Sequence, residues 1–198
     1  MTTSFNSMLQ DVHNCTLCLD ELPHGVRPVL KIHPDAKILI AGQAPGRIVH
    51  ETGIPFNDKS GERLRQWMGV SEEEFYESHE IAILPMSFCY PGTGKSGDLP
   101  PCKKCAPHWR EALLKLMPKI ELTLVIGIYA QKWHLKDEMK TNLTETVKAW
   151  QDYAPELLPM PHPSPRNFHW MKKNPWFEQE IVPHLQDRIK KIIKKSNH

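Results

Sequence analysis

Apolar residues fall into short unbroken runs along this chain, and stretches of helical spacing separate the runs. Residues 37–41, 81–84, 122–128 and 157–160 are such runs, and each predicts a strand. They show little polar alternation, which is the pattern of strands buried on both faces of a parallel sheet. Between them, 61–68 carries Leu64, Trp67 and Met68 at helical spacing. Trp109, Leu113, Leu116 and Met117 form an i, i+4, i+7, i+8 stripe. Asn142 followed by Glu145 predicts a capped helix start for 142–150. A last helix opens near Pro175 and sets Phe177, Ile181, Leu185, Ile189 and Ile192 on one face. Strand alternating with helix predicts a three-layer α/β/α fold around a central, mainly parallel four-stranded sheet, with residues 1–198 as a single domain.

In such a sheet ligands bind at the carboxyl ends of the strands. Three unusual loops should meet there. Gly42-Gln43-Ala44-Pro45-Gly46 follows the first strand, and His162-Pro163-Ser164-Pro165-Arg166-Asn167 follows the fourth. The loop after the second strand is long and rich in Gly and Pro, a kind of loop that is usually functional or disordered. The first turn is neither a P-loop nor a dinucleotide fingerprint, since it has no Gly-Lys-Ser/Thr and no G-x-G-x-x-G.

Composition changes the picture little. Apolar residues make up 40%, charged residues 24%, and the formal net charge is +2, so no global basicity points to nucleic acid. Four lysines crowd the last ten residues, as suits the end of a solvated helix. The first ten residues lack a basic start and a long apolar core, and no window approaches the ~18 apolar residues of a membrane span. These features predict a cytoplasmic protein away from the membrane, expected to act as a monomer. In that compartment the five cysteines are expected as thiols or metal ligands, not disulfides. Cys15 and Cys18 form a C-x2-C pair; Cys89 and Cys105 lie downstream with fifteen residues between them, and Cys102 falls inside that interval. Convergence of Cys15, Cys18, Cys89 and Cys105 would suit a [4Fe-4S] cluster or a structural zinc. The alternative is buried free thiols packing as small hydrophobes.

Taken in order, Cys15-Thr16-Leu17-Cys18, the Gly42–Gly46 turn, Gly53-Ile54-Pro55-Phe56, the Cys89 to Cys105 spacing and His162-Pro163-Ser164 resemble the uracil-DNA glycosylase superfamily. The likeness leans toward its iron–sulfur, family 4 branch and covers roughly residues 15 to 167. The resemblance implies an enzyme that flips a damaged base out of DNA and cleaves its N-glycosidic bond. It also implies a [4Fe-4S] cluster in preference to zinc. Phe56 would stack on the base, with Ala44 and Asn57 beside it. His162 would donate a hydrogen bond to the departing base. Ser164, Arg166 and Asn167 would hold DNA.

The chain departs from the family pattern at several positions. Gln43 stands where family 4 carries Glu, and Pro85 where it carries Asn. Val49-His50 stand where Glu-Asp is common, while Asn57 and Asp58 are polar where small apolar residues are usual. Gln43, His162, Asp58 and His50 are therefore the candidate catalytic groups, and Asp58 could instead cap the helix that follows. Two other functions stay open: a superfamily member that binds a base or nucleic acid without cutting, and an enzyme acting on free nucleotides.

Overall fold

The computed structural model describes residues 4–95 and 97–194. Its strands are β1 (Ile38–Ala41), β2 (Ile81–Ile83), β3 (Thr93–Gly94), β4 (Gly97–Asp98), β5 (Leu122–Ile126) and β6 (Leu157–Met160). Four of them form an all-parallel sheet in the order β2-β1-β5-β6, and β3 and β4 pair as a separate antiparallel ribbon. The helices are α1 (Phe5–His13), α2 (Arg47–Thr52), α3 (Lys59–Met68), α4 (Glu72–Glu77), α5 (Cys105–Lys115), α6 (Gly127–Leu135), α7 (Leu143–Lys148), α8 (Phe168–Lys173) and α9 (Val182–Lys194).

Side chains alternate across a strand, so each run of apolar residues serves two cores. Ile38 and Ile40 of β1 pack with Leu64, Trp67 and Met68 of α3 and with Leu185, Ile189 and Ile192 of α9. Leu39 between them faces Val12 of α1 and Leu113 of α5. Each fully buried Leu, Ile or Phe is worth about 1.5–3 kcal/mol. That explains why runs of only three to five residues suffice as strands.

Several predicted boundaries move. The run 122–128 stops as a strand at Ile126, because Gly127 takes φ 80° and opens α6. The helix predicted from 61 begins at Lys59, where Asp58 Oδ1 accepts from Gly61 N–H at 2.9 Å. The final helix begins as a π-helical turn over Phe177–Ile181 before α9. The cap at Asn142 forms as expected, with Oδ1 accepting from Glu145 N–H at 3.0 Å, but α7 ends at Lys148. The lysine-rich tail lies only partly within the described residues: α9 runs to Lys194, and residues 195–198 lie outside them. Residues 1–3 of the amino-terminal stretch also lie outside them. Among the described residues no helix is long and apolar enough to cross a membrane.

Beyond the sheet the ladder continues into the loops. Leu84 N–H donates to Ile40 O, Met86 N–H to Gly42 O, and Ser87 N–H to Gln43 O. The turn after β1 is therefore held in place by the chain leaving β2.

Candidate active site

A cavity of about 380 Å³ opens at the carboxyl ends of β1, β2 and β6. The Gly42–Gly46 turn, the Pro55–Ser60 segment, the β3–β4 ribbon and the loop after β6 surround it. Of the residues singled out in the sequence, Gln43, Ala44, Phe56, Asp58, His162, Ser164 and Arg166 line it. His50, Asn57 and Asn167 are not among its lining residues.

Phe56 is set by its backbone. Its φ is 55°, in the left-handed region that costs a residue with a side chain about 1–3 kcal/mol. Gly61 allows this: a Cβ there would fall 1.7 Å from the Phe56 carbonyl oxygen, so no other residue fits. The strained backbone swings the ring over Gly42, where an added Cβ would meet it at 3.5 Å, and edge-on to Phe75 with centroids 6.4 Å apart. The ring thus forms one flat wall of the cavity.

His162 lies two residues beyond β6. Its Nδ1 accepts from Ser164 N–H at 3.2 Å, so the ring proton of the neutral form resides on Nε2. Burial lowers the imidazole's pKa, and the charges of Asp58 and Asp98 partly oppose that effect. The ring is neutral at physiological pH and keeps one N–H to donate. Asn167 braces this loop, with Nδ2 donating to His162 O at 2.7 Å. Ser164 Oγ accepts from Arg166 N–H at 3.2 Å, starting the short turn that carries Arg166.

Gln43 Nε2 makes a long 3.5 Å contact to Leu99 O. Asp58 serves two settings at once, capping α3 through Oδ1 while lining the cavity. His50 packs elsewhere, against His24 and Tyr90 with centroids 6.2 and 5.7 Å away. Asn57 is exposed in the turn before α3. Arg47, Lys59 and Arg166 supply positive charge around the cavity, and Arg63 donates to Ser164 O at 3.4 Å.

The sequence profile of the Uracil DNA glycosylase superfamily matches residues 31–186, the span that builds this sheet and this cavity. The chain belongs to that superfamily. It is 26% identical over 140 residues to the Type-4 uracil-DNA glycosylase of Sulfurisphaera tokodaii, a match covering 67% of this chain. The chain spans about 61% of the length of that curated relative. A solution NMR structure of a candidate uracil DNA glycosylase from Methanosarcina acetivorans is similar with a TM-score of 0.46 and 17% identity, covering 79% of this chain and 93% of that one.

A second, small apolar cavity in this superfamily member is lined by Cys15, Cys18, Cys89 and Cys105. The expectation that no disulfide forms is corrected here: Cys18 is bonded to Cys102, with Cα atoms 6.8 Å apart. The reason is that the loop before α5 folds back onto the turn Leu19–Glu21, where Lys104 pairs with Glu21. Cys15, Cys89 and Cys105 remain free thiols. Burial pushes the Cys89 thiol up and that of Cys105 to about 11, although N–H groups of Arg27 and Phe88 favour the respective thiolates. Trp109 Nε1–H points at Cys15 Sγ from 3.3 Å. Among the described residues no group of three or more His, Cys, Asp or Glu side chains is arranged as a metal site. Four sulfurs on one cavity with N–H donors aimed at them are a soft donor set that suits iron–sulfur or zinc, once Cys18 is released from Cys102.

The sequence reading passed over two features of this region. Asp98 and Thr93, on the ribbon, line the larger cavity. Gly94 and Gly97 bracket two residues, a spacing that signals a tight hairpin, and it could have drawn attention to Asp98. Arg110 is fully buried. It donates to Leu84 O at 2.9 Å, Pro85 O at 3.1 Å and His134 Nε2 at 2.8 Å. Nothing in the apolar stripe of α5 announced a charged residue on its buried face.

Proposed function

We propose that this protein binds DNA, accepts a flipped base in the 380 Å³ cavity and cleaves the bond between that base and its sugar. One observation carries the reading: a neutral His162 whose only ring proton is on Nε2, in a cavity with an aromatic wall. When the C1′–N bond breaks, its electron pair leaves with the base and negative charge collects on a base oxygen. A preorganised N–H at that oxygen stabilises the transition state more than the bound substrate. Phe56 would stack on the base, with Ala44 beside it. Gln43 and Asp58 are the candidates of the first reading for water and base contacts. Ser164 and Arg166 would hold phosphates at the mouth, with Asn167 keeping their loop in shape.

Pro85 lines the cavity where family 4 presents Asn, and it offers no side-chain hydrogen bond to a uracil edge. We therefore place the substrate among deaminated or otherwise damaged bases without assigning uracil. The same feature, with Gln43 in place of Glu, favours the second reading, a protein that holds a base without excising it. Duplexes carrying uracil, hypoxanthine, xanthine or mismatched thymine decide between the two. Alkali-labile sites after incubation support excision. Tight binding of one base with no such sites in any duplex supports the second reading.

The cofactor belongs to the same proposal. Cys15, Cys18, Cys89 and Cys105 would hold a [4Fe-4S] cluster, with zinc as the alternative. Its contribution would be structural, tying the amino-terminal segment to the loop after β2. Anaerobic purification under reducing conditions should yield brown protein with about four irons per chain. One zinc in colourless protein would replace the cluster, and folded, metal-free protein would remove both.

A further inference from the structure

We propose that Asp98, on the β3–β4 ribbon, is the carboxylate that orients and deprotonates the attacking water, the role Gln43 cannot fill. This rests on the excision reading above. Among the described residues two carboxylates reach the cavity, Asp58 and Asp98. Asp58 is tied to the start of α3 through Gly61 N–H. Asp98 is exposed, and water can reach it.

Its placement is specific. A Cβ built on Gly46 would come 3.5 Å from Asp98 Oδ2, so that oxygen sits over the turn that carries Gln43. Leu99, the next residue, accepts the Gln43 amide through its carbonyl, and its own N–H donates to Gly92 O at 2.8 Å. Gln43 and Asp98 are thus neighbours across one edge of the cavity. The other carboxylate oxygen, Oδ1, accepts from Thr93 Oγ1 at 3.3 Å, directly across the ribbon. Thr93 Oγ1 is in turn paired with the hydroxyl of Tyr90, which is 1% exposed. A buried hydroxyl therefore fixes Thr93, and Thr93 fixes the carboxylate. Gly97 has φ 137°, and a Cβ there would lie 2.5 Å from an Arg166 guanidinium nitrogen. Only glycine lets Arg166 lie against the backbone just before Asp98. His162 senses the charges of Asp58 and Asp98, so both acids act on the cavity that holds the imidazole.

The step balances as follows. The C1′–N bond breaks and the base departs with the electron pair, its oxygen held by His162 Nε2–H. The water oxygen bonds to C1′. The water's proton passes to the Asp98 carboxylate and from there to solvent, and the departing base anion takes a proton from water. A negative carboxylate near C1′ also offsets the positive charge that grows on the sugar.

Single-turnover excision and DNA affinity, measured separately on the full chain, test this. Asp98→Asn should lose about 10²- to 10⁴-fold in rate with DNA affinity unchanged. Added formate should restore part of the rate to Asp98→Ala, because a free carboxylate fits the vacated place. Thr93→Val, which keeps the carboxylate but frees its orientation, should lose less. Excision by Asp98→Asn at the wild-type rate overturns the proposal and leaves the excision reading standing. A loss of rate matched by an equal loss of affinity also overturns it, assigning Asp98 to binding. If wild-type protein excises no base, the excision reading falls and this proposal with it.

Discussion

The cavity at the strand ends and the cysteine-lined cavity share the segment that leaves β2 and differ in almost every other physical respect. Pro85 lines the larger cavity, and Ser87, Phe88 and Cys89 line the smaller one. The larger is open at the strand ends and mixes carboxylates, an imidazole and basic side chains around an aromatic wall. The smaller is apolar, and burial keeps its Cys89 and Cys105 thiols protonated. Polar groups held ready for a partner suit a ligand that comes and goes. Soft sulfur donors in an apolar nest suit a resident one. Arg110 stands between them, gripping the carbonyls of Leu84 and Pro85 from the helix that begins at Cys105. Among the described residues no carboxylate is a hydrogen-bond partner of Arg110; the ring acceptor is His134. Burial lowers its pKa to about 10, leaving it charged at neutral pH.

The sharpest way to break this arrangement is to remove that link. Arg110→Met keeps most of the volume but strands two buried carbonyls. It should cost about 3 kcal/mol or more in urea unfolding. If the variant is as stable as wild type, Arg110 does not hold the two regions together.

Within the larger cavity, His162→Ala should lower single-turnover excision about 10²- to 10³-fold while DNA binding stays near normal. Because burial holds the His162 pKa below its usual value, the ring stays neutral on acidification past pH 6.5. The rate should therefore not fall at the pKa of a free imidazole. A drop centred there would deny the buried, neutral His162.

Acid should also loosen the link between the cavities. His134 is lowered from 6.5 to about 3, by burial first and by the Arg110 charge second. Its folded pKa is thus below its unfolded one, and the unfolded chain binds more protons between these values. Stability is fully present above pH 6.5 and is lost as pH falls toward 3, by at most about 1.4 kcal/mol per unit from this group. Denaturant midpoints measured across that window check the slope, and a flat profile would remove His134 from the account. The smallest effect belongs to Gln43. Among the described residues its amide makes one long contact, so Gln43→Ala should slow excision by less than His162→Ala, about tenfold or below. A larger loss would make Gln43, not the ribbon, the group that holds the water.

The sequence by itself determined the sheet and the face on which chemistry occurs. Four apolar runs can be buried only between two helical layers, and parallel order sends their carboxyl ends to one edge. That logic reached the turn that carries Gln43 and the loop that carries His162, and the likeness to the glycosylase superfamily added Phe56 and Asp58. Tertiary structure alone decided the rest. Asp98 enters the cavity because a ribbon of two-residue strands folds over Gly46, and strands so short leave no periodic signal. Arg110 reads as a surface residue in any local pattern and is buried because two carbonyls and a neutral His134 lie where α5 meets the sheet. His50 follows the turn closely in sequence, yet α2 carries it to Tyr90. Cys102 lies outside the expected ligand spacing, and only the fold brings it to Cys18. Local patterns report which residues must leave water, whereas contacts between residues far apart in the chain depend on how loops close, and no short window of sequence contains that information.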